Sequence, residues 1–282
     1  MIPTEFEYTA PESLDDALEA LRAGGEDAKL LAGGHSLLPL MKLRLAAPTL
    51  LVDLRRVPGL SDVQRENGTL RIGAMTHHAA LEDDPELGVV SHTARQIADR
   101  QVRHRGTIGG SLAHGDPASD LLAVVLACEG SVSVRSVEGM REIPAHGLFQ
   151  DYLTTAIDDG EIVTEVRIPA LEGYGFAYQK FMRRAEDWAM VGVCALVKAR
   201  DGVCEDVRVG LTHMSSVPLR AAAVEEALRG GTLDRDAIAR AAESAAEGTE
   251  PPGDLNATPD YKRHLARVLT RRALEQAAGL AE

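Results

Sequence analysis

Two glycine pairs, the first set between an apolar run and the start of a helical pattern and the second in a glycine-rich loop, constrain this chain more than any other feature. The first lies in KLLAGGHSLL, residues 29–38. Lys29 to Ala32 reads as the end of a buried strand, and Ser36 as the N-cap of a helix beginning at Leu37. Pro39 then falls in the first turn, where a missing N–H does no harm. Between them Gly33 and Gly34 leave bare backbone. Free N–H groups beside two residues without side chains make a seat for a phosphate, and the same residues also serve as ordinary strand-to-helix turn chemistry. A nucleophile elbow is the third reading of Gly34-His35-Ser36; it fails at Leu38, where that motif needs glycine. His35 reads as either a solvent-facing loop residue or a ligand contact.

The second pair lies in QVRHRGTIGGSLAHGDPASDLL, residues 101–122, with Gly109-Gly110 followed by Ser111. Two separated loops of this kind suit a ligand carrying two phosphates. Neither contains G-x-G-x-x-G, and Gly115 is followed by Asp116 where a P-loop requires lysine. Rossmann and P-loop folds are therefore set aside.

Charge narrows the class of ligand. A net charge of −13 disfavours a binder of nucleic-acid backbone, which needs clustered Lys and Arg. Acidic residues from Glu5 onward give the N-terminus none of the order of a secretory signal, and no stretch of uncharged apolar residues is long enough to span a bilayer. The expected location is the cytoplasm, with no transmembrane segment. Cys128, Cys194 and Cys204 lie far apart, form no C-x-x-C pair and fall short of the four thiolates of an ordinary iron–sulfur cluster. Buried spectator thiols are the expectation. The nine histidines lack the paired spacing of zinc ligands: His77 and His78 are adjacent, and His104, His114 and Asp116 share a loop without that pattern.

At 282 residues there is room for two domains, each with its own core. A short strand near Phe6–Tyr8 precedes a helix capped by Ser13, with Leu14, Ala17, Leu18 and Leu21 at helical spacing and Gly24-Gly25 at its end. A strand, a helix and a further strand follow, closing an α/β unit at VPGL, 57–60. The next unit holds the strand TLRIGAM, helices around 77–82 and 91–100, the helix SDLLAVVLACEG, and the strands SVSVRSV and GEIVTEVRIP on either side of an acidic loop. A second boundary falls between Pro169 and Gly175. Beyond it, three strands near 174–183, 189–199 and 203–213 form a meander and three helices follow, the pattern of an α+β module.

The third informative stretch is YQKFMRRAEDWAMVGV, which holds the only tryptophan. Lys180, Arg183 and Arg184 lead through Asp187 to Trp188 and an apolar strand. A lone tryptophan anchors a core or supplies a ligand platform, and both readings stand at this point.

Together, AGGHSLLPLMKLRL, QVRHRGTIGGSLAHGDPASD and KFMRRAEDWAMVG resemble the FAD-binding medium subunit of molybdenum-containing hydroxylases of the carbon monoxide dehydrogenase type. The likeness covers nearly the whole chain, in the family's motif order. It implies an α+β chain: a FAD-binding domain of the vanillyl-alcohol-oxidase or PCMH type over 1–173, in two α/β subdomains (1–57 and 58–173), then a C-terminal flavoprotein domain over 174–282. It also implies that Leu31, Ala32, Gly33, Gly34, His35, Ser36 and Leu37 hold the FAD pyrophosphate. Thr107, Ile108, Gly109, Gly110 and Ser111 form the second FAD loop, with Asp120 near the ribose or adenine side. Ile162 and Lys180 match positions close to the flavin, and Trp188 stands where an aromatic covers the isoalloxazine ring. Ser111 departs from the Asp or Asn usual there, which puts one hydrogen bond in doubt.

The activity implied is electron transfer from [2Fe–2S] clusters through FAD to an external acceptor. The clusters would sit on a small partner subunit and the molybdenum cofactor on a large one, in a dimer of heterotrimers. A self-sufficient FAD oxidoreductase of the same fold and a flavin-free scaffold subunit are the rival readings.

Overall fold

The computed structural model describes residues 2–281. Its first subdomain comprises β1 (Glu7–Thr9), α1 (Leu14–Gly24), β2 (Ala28–Leu31), α2 (Leu37–Lys42) and β3 (Leu50–Asp53). The strands form a parallel sheet in the order β1-β3-β2. The Ser13 hydroxyl accepts the Asp16 N–H, and Asp15 and Asp16 sit in the first turn, so both the cap and the charges favour α1 starting here. Ala17, Leu18 and Leu21 then pack against the sheet.

The second subdomain opens with β4 (Val63–Glu66) and β5 (Thr69–Gly73). Five short helices follow: α3 (His78–Asp83), α4 (Val89–Ala94), α5 (Arg100–Arg103), α6 (Ile108–His114) and α7 (Asp120–Ala127). It closes with β6 (Ser131–Arg135), β7 (Met140–Pro144), α8 (Ala145–Leu148), the small hairpin β8 (Phe149–Asp151) and β9 (Thr154–Thr155), and β10 (Ile162–Pro169). Five strands pair antiparallel in the order β4-β5-β10-β6-β7. This differs from the sequence reading in several places: the helix read around 91–100 ends at Ala94, and the stretch 101–122 read as a loop holds α6 and most of α5. The stretch read as an acidic loop between β6 and β10 contains β7, α8 and the β8–β9 hairpin. Strand β4 also goes unread: its residues are all exposed, so hydrophobic alternation has nothing to show, yet Asn67-Gly68, with both φ angles positive, is the hairpin turn that joins it to β5.

In the C-terminal domain β11 (Tyr174–Phe181), β12 (Val191–Arg200) and β13 (Val203–Thr212) form the expected meander, and a two-residue strand, β14 (Leu219–Arg220), is added at its edge. Helices α9 (Ala222–Leu228), α10 (Arg235–Ala242) and α11 (Pro259–Ala277) cover one face of this sheet.

The other face meets the second subdomain through α7. All eight residues of α7 are buried, against α4 on one side and β12 and β13 on the other. Contact is backbone to backbone: a Cβ on Gly210 of β13 would lie 2.3 Å from the Ala123 carbonyl oxygen. Tyr178, Cys194 and Leu196 of the C-terminal sheet share one apolar cluster with Leu121, Leu122, Val124 and Val125. Each such side chain is worth about 1.5–3 kcal/mol when fully buried. The core therefore runs across the boundary near 173 that the sequence suggests, and the sheet behind Lys180 is tied to the helix that begins at Asp120.

Candidate cofactor site

A cavity of about 650 Å³ lies between the two N-terminal subdomains, with Lys180 and the turn 186–188 of the C-terminal domain at its side. Both glycine loops line it. The first runs from β2 to α2 and touches the second directly: a Cβ on Gly33 would lie 2.2 Å from the Arg105 carbonyl oxygen. Gly34 has φ +79, a conformation open to glycine at little cost, and a Cβ there would strike Leu38. Among the described residues the N–H groups of Gly33, Gly34, His35 and Ser36 have no protein acceptor. Four successive donors facing a cavity form an anion seat.

Ser36 departs from its expected role. Its backbone is already helical, φ −98 and ψ −53, and its hydroxyl makes no capping bond, so it lines the cavity with a free donor and acceptor. His35 is exposed at the mouth and lines the cavity, as do Ala32 and Leu37. Leu31 does not: its side chain packs with Met41 and Leu51.

The second loop contributes shape more than donors. Thr107 caps α6 by accepting the Gly110 N–H at 3.2 Å. The Ile108 N–H donates to the Thr76 carbonyl, Gly109 to Ala74, and Ser111 to Thr107. The Ile108 and Gly109 amides are spent on anchoring the loop to the segment just after β5, and that of Ser111 on the first turn of α6. Gly109 is held so close to Ala74 that a Cβ would come within 2.4 Å of that residue's own Cβ. Thr107, Gly109, Gly110 and Ser111 line the cavity, whereas Ile108 is wholly buried in the core. Ile162 is likewise core, packed beneath the first subdomain, and the cavity wall there is made by its neighbours Glu161 and Val163. For Leu31, Ile108 and Ile162 the same physics applies: an apolar side chain flanking a polar loop turns inward.

On the far side Asp120 and Lys180 form an ion pair of 2.8 Å with side chains 5% and 2% exposed. Lys180 also donates to the Gln96 carbonyl, and Tyr178 donates to the other Asp120 oxygen at 2.6 Å. Trp188 is 61% exposed and sits on the cavity rim, so it is no part of the core.

Two lining features were not singled out from sequence. His78 is buried, with its Nδ1 unpartnered and its ring against Gly106; burial, followed by the charges of His77, Arg103 and His35, pushes its pKa down to about 4. The segment 155–161 forms another wall, clasped by Arg141, which donates to Glu161 at 2.6 Å, Asp158 at 3.0 Å and the Ala156 carbonyl. Asp158-Asp159-Gly160, a turn cluster just before a strand, was the available signal. The three cysteines are free, separate and buried, and burial pushes the Cys128 thiol up to about 12. Among the described residues no group of three or more His, Cys, Asp or Glu side chains could hold a metal ion.

A cleft between subdomains, unpaired amides on one wall, a side-chain-free second loop and an aromatic rim define a binder of an extended, phosphate-bearing cofactor. Comparison with known proteins gives that class its family. Residues 4–171 match the FAD binding domain in molybdopterin dehydrogenase, and residues 176–277 the CO dehydrogenase flavoprotein C-terminal domain. The carbon monoxide dehydrogenase medium chain of Hydrogenophaga pseudoflava is 41% identical over 98% of both chains. The 6-hydroxypseudooxynicotine dehydrogenase complex subunit alpha of Paenarthrobacter nicotinovorans is 38% identical over 98% of this chain and 96% of that one. A solved structure of the Hydrogenophaga pseudoflava carbon monoxide dehydrogenase matches with a TM-score of 0.96 over 100% of both chains. The chain belongs to the family of FAD-binding medium subunits of molybdenum hydroxylases, and it is an oxidoreductase subunit whose cofactor is FAD. Among the described residues no helix is long and apolar enough to cross a membrane.

Proposed function

We propose that this chain is the electron-transfer subunit of a cytoplasmic molybdenum hydroxylase built as a dimer of heterotrimers. A small [2Fe–2S] subunit would deliver electrons to its FAD, and a large molybdenum subunit would hold the substrate. The observation that carries the reading is the meeting of two glycine loops, from different subdomains, along one cavity.

FAD, when bound, supplies a redox centre that takes up electrons and passes them to an external acceptor. The protein's part is binding, orientation and electrostatics. The free amides of Gly33 to Ser36 hold the pyrophosphate, and Gly109 and Gly110, packed against Ala74 and Thr107, set the second loop along the cavity. Ser111 offers a hydroxyl to the cofactor. Because Asp120 is paired with Lys180, it is read as standing beside the flavin with it, not on the ribose or adenine side that the resemblance implied; the carboxylate holds the ammonium in one place. Trp188 shields the ring from solvent. The cysteine inventory agrees with a division of labour in which clusters belong to another chain.

Purification of the native complex with analysis of flavin, iron, molybdenum and subunits tests this. One FAD on this chain, with iron and molybdenum on two others, is the expected result. Substrate turnover by the isolated chain would replace the proposal with a self-sufficient oxidoreductase, and failure to bind FAD saturably with a scaffold.

A further inference from the structure

The turn 182–190, between β11 and β12, carries Trp188 at its exposed end, and its two ends are held by one polar chain made of His213 after β13, Lys262 of α11 and the loop 254–256. At the far end the Ala189 carbonyl accepts from His213 Nδ1 at 2.8 Å. His213 Nε2 faces the Lys262 ammonium at 3.3 Å, and Lys262 donates to Asp254 at 2.7 Å. The other Asp254 oxygen accepts the N–H groups of Asn256 and Ala257. Asn256 then accepts from Arg183 at 3.2 Å, which returns the chain to the near end of the turn.

The proton inventory leaves one arrangement. A carbonyl can only accept, so Nδ1 carries a proton; an ammonium can only donate, so Nε2 carries none. His213 is therefore a neutral imidazole, in keeping with the downward push that burial gives its pKa. Lys262 is wholly buried, and burying a lysine is costly unless its ammonium is paired. Burial works against the Asp254 carboxylate as well, yet the hydrogen bonds from Lys262 and the two N–H groups hold it down at about 2. The His213 N–H donates to the Pro117 carbonyl, so the same residue touches the segment leading to Asp120.

We propose that His213 and Lys262 are positioning residues that hold Trp188 in place as the cover of the flavin. The inference rests on the reading of Trp188 as that cover. Without the array the described backbone bonds of the turn are those of its strands, Met190 to Phe181, and Asp187 to Arg184 inside the turn itself.

Trp188 is the chain's only tryptophan, so its emission reports the turn directly. Emission anisotropy of the FAD-free full chain, measured well below its unfolding temperature, should fall in Lys262→Met and His213→Ala. It should return in His213→Asn, which keeps a donor near Nδ1 and suits the left-handed backbone there, φ +63. Leu269→Ala, a core truncation on α11, should lower thermal stability without lowering anisotropy. The FAD dissociation constant should rise about three- to tenfold in Lys262→Met, the size of a lost aromatic stack. Unchanged anisotropy in Lys262→Met and His213→Ala, or an equal fall in Leu269→Ala, would overturn the positioning role. Quenching of Trp188 emission by FAD in the unsubstituted chain tests the cover itself, so the two failures are distinguishable.

Discussion

At Gly33 the decisive neighbour is protein backbone. The direction a side chain would take is filled by the Arg105 carbonyl, so Gly33→Val should push the two loops apart and abolish FAD binding. Flavin absorbance per mole of folded protein measures it. The sequence showed that the loop needs bare backbone, but attributed the need to the phosphate; the packing of residue 33 on residue 105 joins positions no local pattern relates. Trp188 presents the reverse case. It lies on the rim with most of its surface free, so Trp188→Ala should weaken FAD binding about tenfold while leaving the denaturant midpoint of the FAD-free protein almost unchanged. A core tryptophan would instead lose about 3–5 kcal/mol. Which of the two applies could not be read from a lone Trp between charged residues and an apolar strand. Leu31, Ile108 and Ile162 show the limit of reasoning by adjacency: each neighbours a lining residue, and each points into the core.

Elements with local signals were legible and those specified by tertiary contact were not. Helix α1 announces itself by cap, charge and spacing; β4, exposed throughout, and the walls at 155–161 are specified by what they meet in space. The loop 254–257 belongs with the latter. Its Asp254 is held well below the ordinary carboxylate pKa of about 3.9, so its contribution to stability is present above that value and is lost as pH falls through about 2. Asp254→Asn should therefore destabilise the protein at neutral pH and flatten its acid limb. Thermal midpoints between about pH 5 and pH 2 reveal the difference.

On the scale of the whole molecule, the cavity proposed for the cofactor is lined by both N-terminal subdomains and the C-terminal domain, so a ligand held there would bind the folded state alone. Stability should rise with free FAD by about 2.7 kcal/mol at a hundred times the dissociation constant, read as a concentration-dependent melting temperature. Breaks near 57 and 173 could be read from the sequence pattern, but the core that runs across the second of them could not. Helix α7, buried along its whole length and apolar after Asp120, has a consequence for biosynthesis. The ribosome releases it before β12 and β13 exist, so the face of the rod that will meet them stays bare and greasy until the last third emerges. A gene cut after codon 173 should yield inclusion bodies rather than a working half. Chaperone residence should end only once the sheet closes over Ala123, which makes completion of translation the checkpoint for flavin loading.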